Sequence, residues 1–224
     1  MENYKKVIVK KPWGYEYLIY KNSEVAIWFL HIEKDERTSM HCHPTKSTGL
    51  VLLKGDAEIN FIADQKILSA PSKQMIRRGL FHQTIALSDG GVDLLEIETP
   101  EDKNDLVRLK DSYGRKNNAY ENQKFEIPKS NDCIWLDDPS INETYSYKFS
   151  NRTLTIETPL SLSFIDNKAD TDILMVISGG IFKKIENRIH NVVIPGDVGY
   201  AKIVKEVSKE MTGILPKTKV ITIK

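Results

Sequence analysis

The chain has 224 residues and a 40% hydrophobic content, enough apolar material for one large domain or two small ones and too much for a disordered chain. Lys and Arg number 32 against 31 Asp and Glu, a formal net charge of +1, so the electrostatic footprint of a general nucleic-acid or acidic-membrane binder is missing and any charged ligand must be met by local groups. Two cysteines, Cys42 and Cys133, are too few for a disulfide framework, and the five histidines are unevenly spread, with His41, His43 and His82 inside one 42-residue stretch.

The opening residues, MENYKKVIVKKPWG, contain no apolar run of signal-peptide length, and nothing later approaches the roughly 18 apolar residues of a membrane span. The expectation is a soluble, cytoplasmic protein that meets neither membrane nor nucleic acid. Short β-prone bursts follow at 24–32 (EVAIWFLHI), 50–53 (LVLL), 92–98 (VDLLEIE) and 172–178 (DILMVIS). Glycine turns at 54–56, 89–91, 178–180 and 195–197 separate β-prone runs, and no βα alternation is visible, which predicts an antiparallel sandwich or barrel. The best helix candidate is 100–115, with an irregular loop containing one helical turn as the other reading. The polar, Asn-rich, aperiodic segment 116–132 reads as a linker, so the predicted organisation is a β unit over 1–115, the linker, and a second β unit over 133–224. The second half repeats the strand order of the first at 172–186 and 191–202 but carries only His190, which marks it as the structural half.

His41 and His43 are two residues apart in a stretch leading into a strand, so both imidazoles fall on one face and Cys42 turns away as a buried thiol. A sandwich can fold the strand bearing His82 back beside them, and three neutral imidazoles suit zinc or another first-row divalent metal. Spacing alone suits surface or packed histidines better than a metal site. Glu96 and Glu98 share one face of their strand, as bases or metal ligands or as a solvated edge. Local cations for a phosphate are Lys46, Arg77, Arg78, Arg108 and Arg115. Trp13 reads as a core aromatic with sugar stacking the lesser alternative, and His31 as a residue facing either the barrel interior or solvent.

The arrangement His41-x-His43, Gly55 after a strand, and Gly79-x-x-His82 resembles the two motifs of the cupin superfamily. The segments 11–16 (KPWGYE), 30–43 (LHIEKDERTSMHCH) and 104–115 (NDLVRLKDSYGR) further resemble the type II mannose-6-phosphate isomerase-like cupins of sugar-nucleotide and polysaccharide pathways. The resemblance implies an all-β fold, a jelly-roll-like cupin β-barrel in a tandem bicupin whose second barrel is degenerate. It implies a divalent metal ion on His41, His43 and His82, zinc first and iron, manganese or nickel after it. The reaction it implies is aldose–ketose isomerisation, which needs a base and an electrophile for the enediolate oxygens; catalysis would fall to Glu96 or Glu98, and substrate binding to Lys46, Thr48, Arg108, Tyr113 and Arg115. The expected substrate is a sugar phosphate or nucleotide sugar, and the expected assembly a homodimer. One departure stands out: the motif's metal-binding glutamate, seven residues before Gly55, is Thr48 here. That keeps open a non-catalytic sugar-phosphate or nucleotide-sugar binding cupin, a metal-independent nucleotide-sugar epimerase built on a His–Asp pair and a tyrosine, and, more remotely, a dioxygenase.

Overall fold

The computed structural model describes residues 4–102, 104–114, 124–125 and 133–224, and the chain divides into two compact units, Met1–Trp135 and Leu136–Lys224. Of the predicted linker, 124–125 form a strand of the first unit and the rest lies outside the described residues, as does Arg115.

In the first unit the strands are β1 (Ile8–Lys11), β2 (Gly14–Lys21), β3 (Ala26–Ile32), β4 (Met40–Cys42), β5 (Ser47–Lys54), β6 (Asp56–Phe61), β7 (Gln65–Ser69), β8 (Ser72–Ile76), β9 (His82–Ala86), β10 (Val92–Thr99), β11 (Val107–Lys110) and β12 (Lys124–Phe125). They form two antiparallel sheets, ordered β12-β1-β2-β3-β10-β5-β8 and β11-β4-β9-β6-β7. From β3 to β10 the chain alternates between the sheets, apart from the β6–β7 hairpin, so that β3-β10-β5-β8 faces β4-β9-β6-β7, the strand order of an eight-stranded jelly roll. Alternation along the strands fills the space between them: Leu30, Ile32, Leu50, Leu52, Ile59, Val92 and Leu94 build the core with Trp13, and Glu96 and Glu98 continue the inward row of β10. The opposite side of the larger sheet is also buried, with Ile27, Phe29, Val51, Leu53, Leu95 and Ile97 at most 3% exposed, which explains why these strands read as continuous apolar bursts.

Two glycines are demanded by close backbone approach. Gly14 has φ +140 and a Cβ there would lie 2.1 Å from the carbonyl oxygen of His31, while Gly55 turns β5 into β6 at φ +82.

The second unit contains β13 (Thr144–Phe149), β14 (Arg152–Glu157), β15 (Ile173–Ser178), β16 (Ile181–Ile185), β17 (Arg188–Val193), β18 (Val198–Tyr200), β19 (Gly213–Ile214) and β20 (Lys219–Ile223), with a 3-10 turn at Leu162–Ile165. Its sheets are ordered β13-β14-β20-β15-β18 and β17-β16-β19. Set beside the first unit, β14-β20-β15-β18 repeats β3-β10-β5-β8 and β19-β16-β17 repeats β9-β6-β7. The counterpart of β4 is a 3-10 turn, so the second unit lacks the very strand that bears His41 in the first.

Helix placement differs from the expectation. Residues 107–110 within the candidate helix are β11, whose backbone is satisfied by pairing with β4. The helix among the described residues is α1 (Ala201–Ser208), between β18 and β19, where Ala201 and Val204 close over the apolar core of the second unit. Eight residues bear too few turns for a periodic signal to show in the sequence. No helix among the described residues is long and apolar enough to cross a membrane.

Candidate metal centre

Two strands of the smaller sheet bring the histidines together. His41 on β4 and His82 on β9 are directly paired across the ladder, and His43 follows one turn of the pleat after His41. The ring centroids are 4.4 Å apart for His41 and His82, 4.9 Å for His41 and His43, and 5.5 Å for His43 and His82.

Each ring is oriented by a main-chain carbonyl. His41 Nδ1 donates to Ser39 O at 2.8 Å, His43 Nδ1 to Asp105 O at 2.7 Å and His82 Nδ1 to Leu80 O at 3.0 Å. Since a carbonyl oxygen only accepts, the proton of each neutral ring sits on Nδ1 and the lone pair on Nε2. Carbonyl contacts of this kind fix the tautomer and the ring orientation and so prepare imidazoles for a metal. His43 Nε2 is buried without a hydrogen-bond partner, and one ligand atom from each of the three residues lies within 4.8 Å of the others. Burial, followed by the neighbouring imidazoles of His82 and His43, holds His41 well below the usual imidazole range. His43 is pulled down to about 3 by burial and then by Lys46, and His82 to about 4 by burial, with Lys46 adding to it. All three rings are therefore neutral at neutral pH, with the Nε2 lone pair free of a proton, the state a divalent ion requires. The donor set fits a first-row divalent metal.

Beside the imidazoles lies a cavity of about 90 Å³ whose polar lining includes Lys11, Glu16, His41, His43, Lys46, Glu96, Glu98 and Arg108, with Trp13, Trp28 and Leu30 as apolar walls. Cationic and anionic lining side chains are three against three. Lys11 Nζ stands 3.6 Å from Glu16, and Lys46 Nζ donates to Glu98 in a pair whose side chains are 3% and 7% exposed. Glu96 Oε1 is 4.0 Å from His43 Nε2, and His43, Glu96 and Glu98 form a second group of converging ligand atoms.

The remaining predicted residues separate into three placements. Arg108 on β11 pairs with His41 of β4 and reaches the pocket. Thr48 is 1% exposed, directly across from Glu98, and does not line the cavity. Tyr113 donates to Glu36 and accepts from the Arg37 amide at 3.3 Å, bracing the closing segment outside the lining. Arg77 and Arg78 are not among the lining residues either.

Several features escaped the sequence reading, the Lys11–Glu16 pair of the lining among them. Asp105 accepts from the Thr45 and Lys46 amides, both at 2.9 Å, while its own carbonyl fixes His43; burial opposes its ionisation, but those amides hold its carboxyl below the usual range. Trp28 joins Trp13 at the pocket wall, and the alternation of β3 that aims Trp28 inward was the available signal. His31 makes a 2.6 Å pair with Asp93, its direct partner across β3 and β10, on the sheet face opposite Leu30 and Leu94 and so away from the pocket. The larger cavity of the second unit, about 170 Å³, has only Asp197 and Thr218 as polar side chains among apolar walls.

No protein-family model and no curated protein sequence matches the chain. Among solved structures, the chain is similar to KdgF from a Halomonas species, at 10% identity over 46% of this chain and 94% of that one, with a TM-score of 0.40. It is also similar to the capsular polysaccharide assembling protein CapF from Staphylococcus aureus, at 17% identity over 46% of this chain and 34% of CapF, TM-score 0.43. A third is a cupin-superfamily sugar phosphate isomerase from Silicibacter pomeroyi, at 12% identity over 39% of this chain and 59% of that one, TM-score 0.37. This chain therefore spans about a third of the length of CapF. Strand order carries the fold assignment: the first unit is an all-β, eight-stranded jelly roll with His41 and His82 on neighbouring strands of its smaller sheet.

Proposed function

We propose that the chain is a metal-dependent cupin acting on a sugar phosphate or an activated sugar, by aldose–ketose isomerisation. The observation that carries this reading is the convergence of three carbonyl-oriented imidazoles with two carboxylates, Glu96 and Glu98, on one small pocket. A divalent ion on His41, His43 and His82 supplies the electrophile for adjacent sugar oxygens and adds two positive charges to an otherwise balanced pocket, the complement of a dianionic phosphate. Arg108 and Lys11 offer donors to the phosphate, Trp13 and Trp28 offer flat apolar faces to a sugar ring, and a carboxylate of β10 moves the proton between neighbouring carbons. The second unit, repeating the sheet order without its histidine strand, fits a degenerate partner barrel in a tandem bicupin. A homodimer and a cytoplasmic location complete the reading.

The test is metal content by mass spectrometry on chain purified without a histidine tag, followed by turnover and thermal-shift assays with sugar phosphates and nucleotide sugars. One divalent ion per chain, turnover of a hexose phosphate, and loss of both on His82→Ala are expected. Absence of metal together with absence of any thermal shift overturns the proposal. Thr48 at the glutamate position favours one second reading, a binding cupin without turnover, which predicts substoichiometric metal and a thermal shift that persists without it. A metal-independent epimerase is less well supported, because His41, His43 and His82 all direct Nδ1 to carbonyls and the His31–Asp93 pair faces away from the pocket.

A further inference from the structure

The place of Thr48 is already taken. Thr48 lies opposite Glu98 in the β5–β10 ladder, and Lys46, two residues earlier on the same face as Thr48, grips Glu98 with both ends of the pair buried. One buried ammonium balances one buried carboxylate, so a second carboxylate at position 48 would stand uncompensated beside Glu98. The pair therefore explains why position 48 is not acidic, and it ties up the carboxylate nearest that position. Two residues back along the inward row of β10 is Glu96, whose cross-strand neighbours are Leu50 and Trp28 and whose Oε1 is 4.0 Å from His43 Nε2. His43 thus belongs to both groups of converging ligand atoms, one with His41 and His82 and the other with Glu96 and Glu98.

We propose that Glu96 is the anionic ligand of the ion held by His41, His43 and His82, and that the Lys46–Glu98 pair keeps Glu98 out of the coordination sphere. This rests on the metal-centre reading and refines it, because it divides two carboxylates that sequence treats as equivalent. Three neutral imidazoles and one carboxylate reduce a divalent ion to a single residual positive charge, and proton transfer then falls to Glu98.

The test uses the full chain stripped by a chelator and titrated with zinc against a chromophoric competitor. Glu96→Gln is expected to weaken zinc binding by at least about 10–100-fold, with the melting temperature of the stripped protein unchanged. The double variant Lys46→Met/Glu98→Gln, which removes the pair at constant net charge, is expected to bind zinc within a few-fold of wild type. Wild-type affinity in Glu96→Gln overturns the assignment while leaving the metal centre intact, and an equal loss in the double variant overturns the division of roles. Failure of the wild-type chain to bind zinc, cobalt or manganese overturns the metal centre itself. Should Glu96→Gln not fold, a crystal structure of the zinc-loaded wild type decides: a Glu96 oxygen at about 2.0–2.2 Å from the anomalous peak is expected, and a water in that position with Glu96 outside the coordination sphere refutes the proposal.

Discussion

Replacing Lys46 by methionine separates the structural and electrostatic roles of the pocket. Its side chain is buried, its Nζ donates to Glu98 and, at 3.2 Å, to the carbonyl of Asp102, while its amide interaction with Asp105 does not depend on the side chain. Methionine keeps the volume and removes the charge. Glu98, 5% exposed, is then left as a buried carboxylate without its ammonium, a situation that costs about 3–5 kcal/mol. The charge-assisted hydrogen bond forms part of that sum, about 1.5–3 kcal/mol. Urea unfolding of the metal-free protein should lose this amount in Lys46→Met and recover most of it in Lys46→Met/Glu98→Gln, where neither member of the pair is charged. Zinc should restore more stability to the single variant than it adds to wild type, because the orphaned carboxylate and the lost ammonium both favour a cation among the imidazoles. A loss below about 1 kcal/mol in the single variant, or a double variant no better than the single one, would refute the buried-pair reasoning.

Acid should destabilise the metal-free protein. The folded values of His43 and His82, about 3 and about 4, lie below the ordinary value of 6.5, so the unfolded chain binds more protons in that window. Stability is therefore full above about pH 6.5 and falls as pH drops through it, by up to about 1.4 kcal/mol per pH unit for each histidine; a urea midpoint constant from pH 7 to pH 5 would contradict this. Gly14→Ala places a methyl 2.1 Å from the His31 carbonyl in a positive-φ conformation and should cost about 1–3 kcal/mol or more in thermal or urea unfolding. Tyr113→Phe removes the hydroxyl that joins Glu36 and the Arg37 amide and should cost about 1–2 kcal/mol; faster hydrogen exchange across 104–114 is its local signature, and unchanged exchange there would remove Tyr113 as the brace.

Much of the first unit was legible because its strands obey period-two chemistry. The apolar bursts at 24–32, 50–53 and 92–98 became β3, β5 and β10, and the same alternation placed Glu96 and Glu98 on one face. The closing segment was less legible. Its 107–110 stretch became a strand because β4 offers an unpaired edge, a long-range opportunity that no local pattern records, and Arg108 came to the pocket through that pairing. Tyr113, from the same segment, serves as a brace outside the lining. The helix α1 was invisible for the converse reason, since its apolar residues make sense only against the core beneath them.

By itself the sequence determined the all-β class, the near-neutral charge that confines any phosphate site to a few groups, and the parity that groups His41 with His43 and Glu96 with Glu98. Only the tertiary structure decided which sheet edge met which. Ladder register brought His82 opposite His41, set Thr48 against Glu98, buried Lys46 beside that carboxylate and left Glu96 nearest the imidazoles. The physical reason is that alternation assigns a face locally, whereas the distance between two faces depends on strand pairings made across tens of residues.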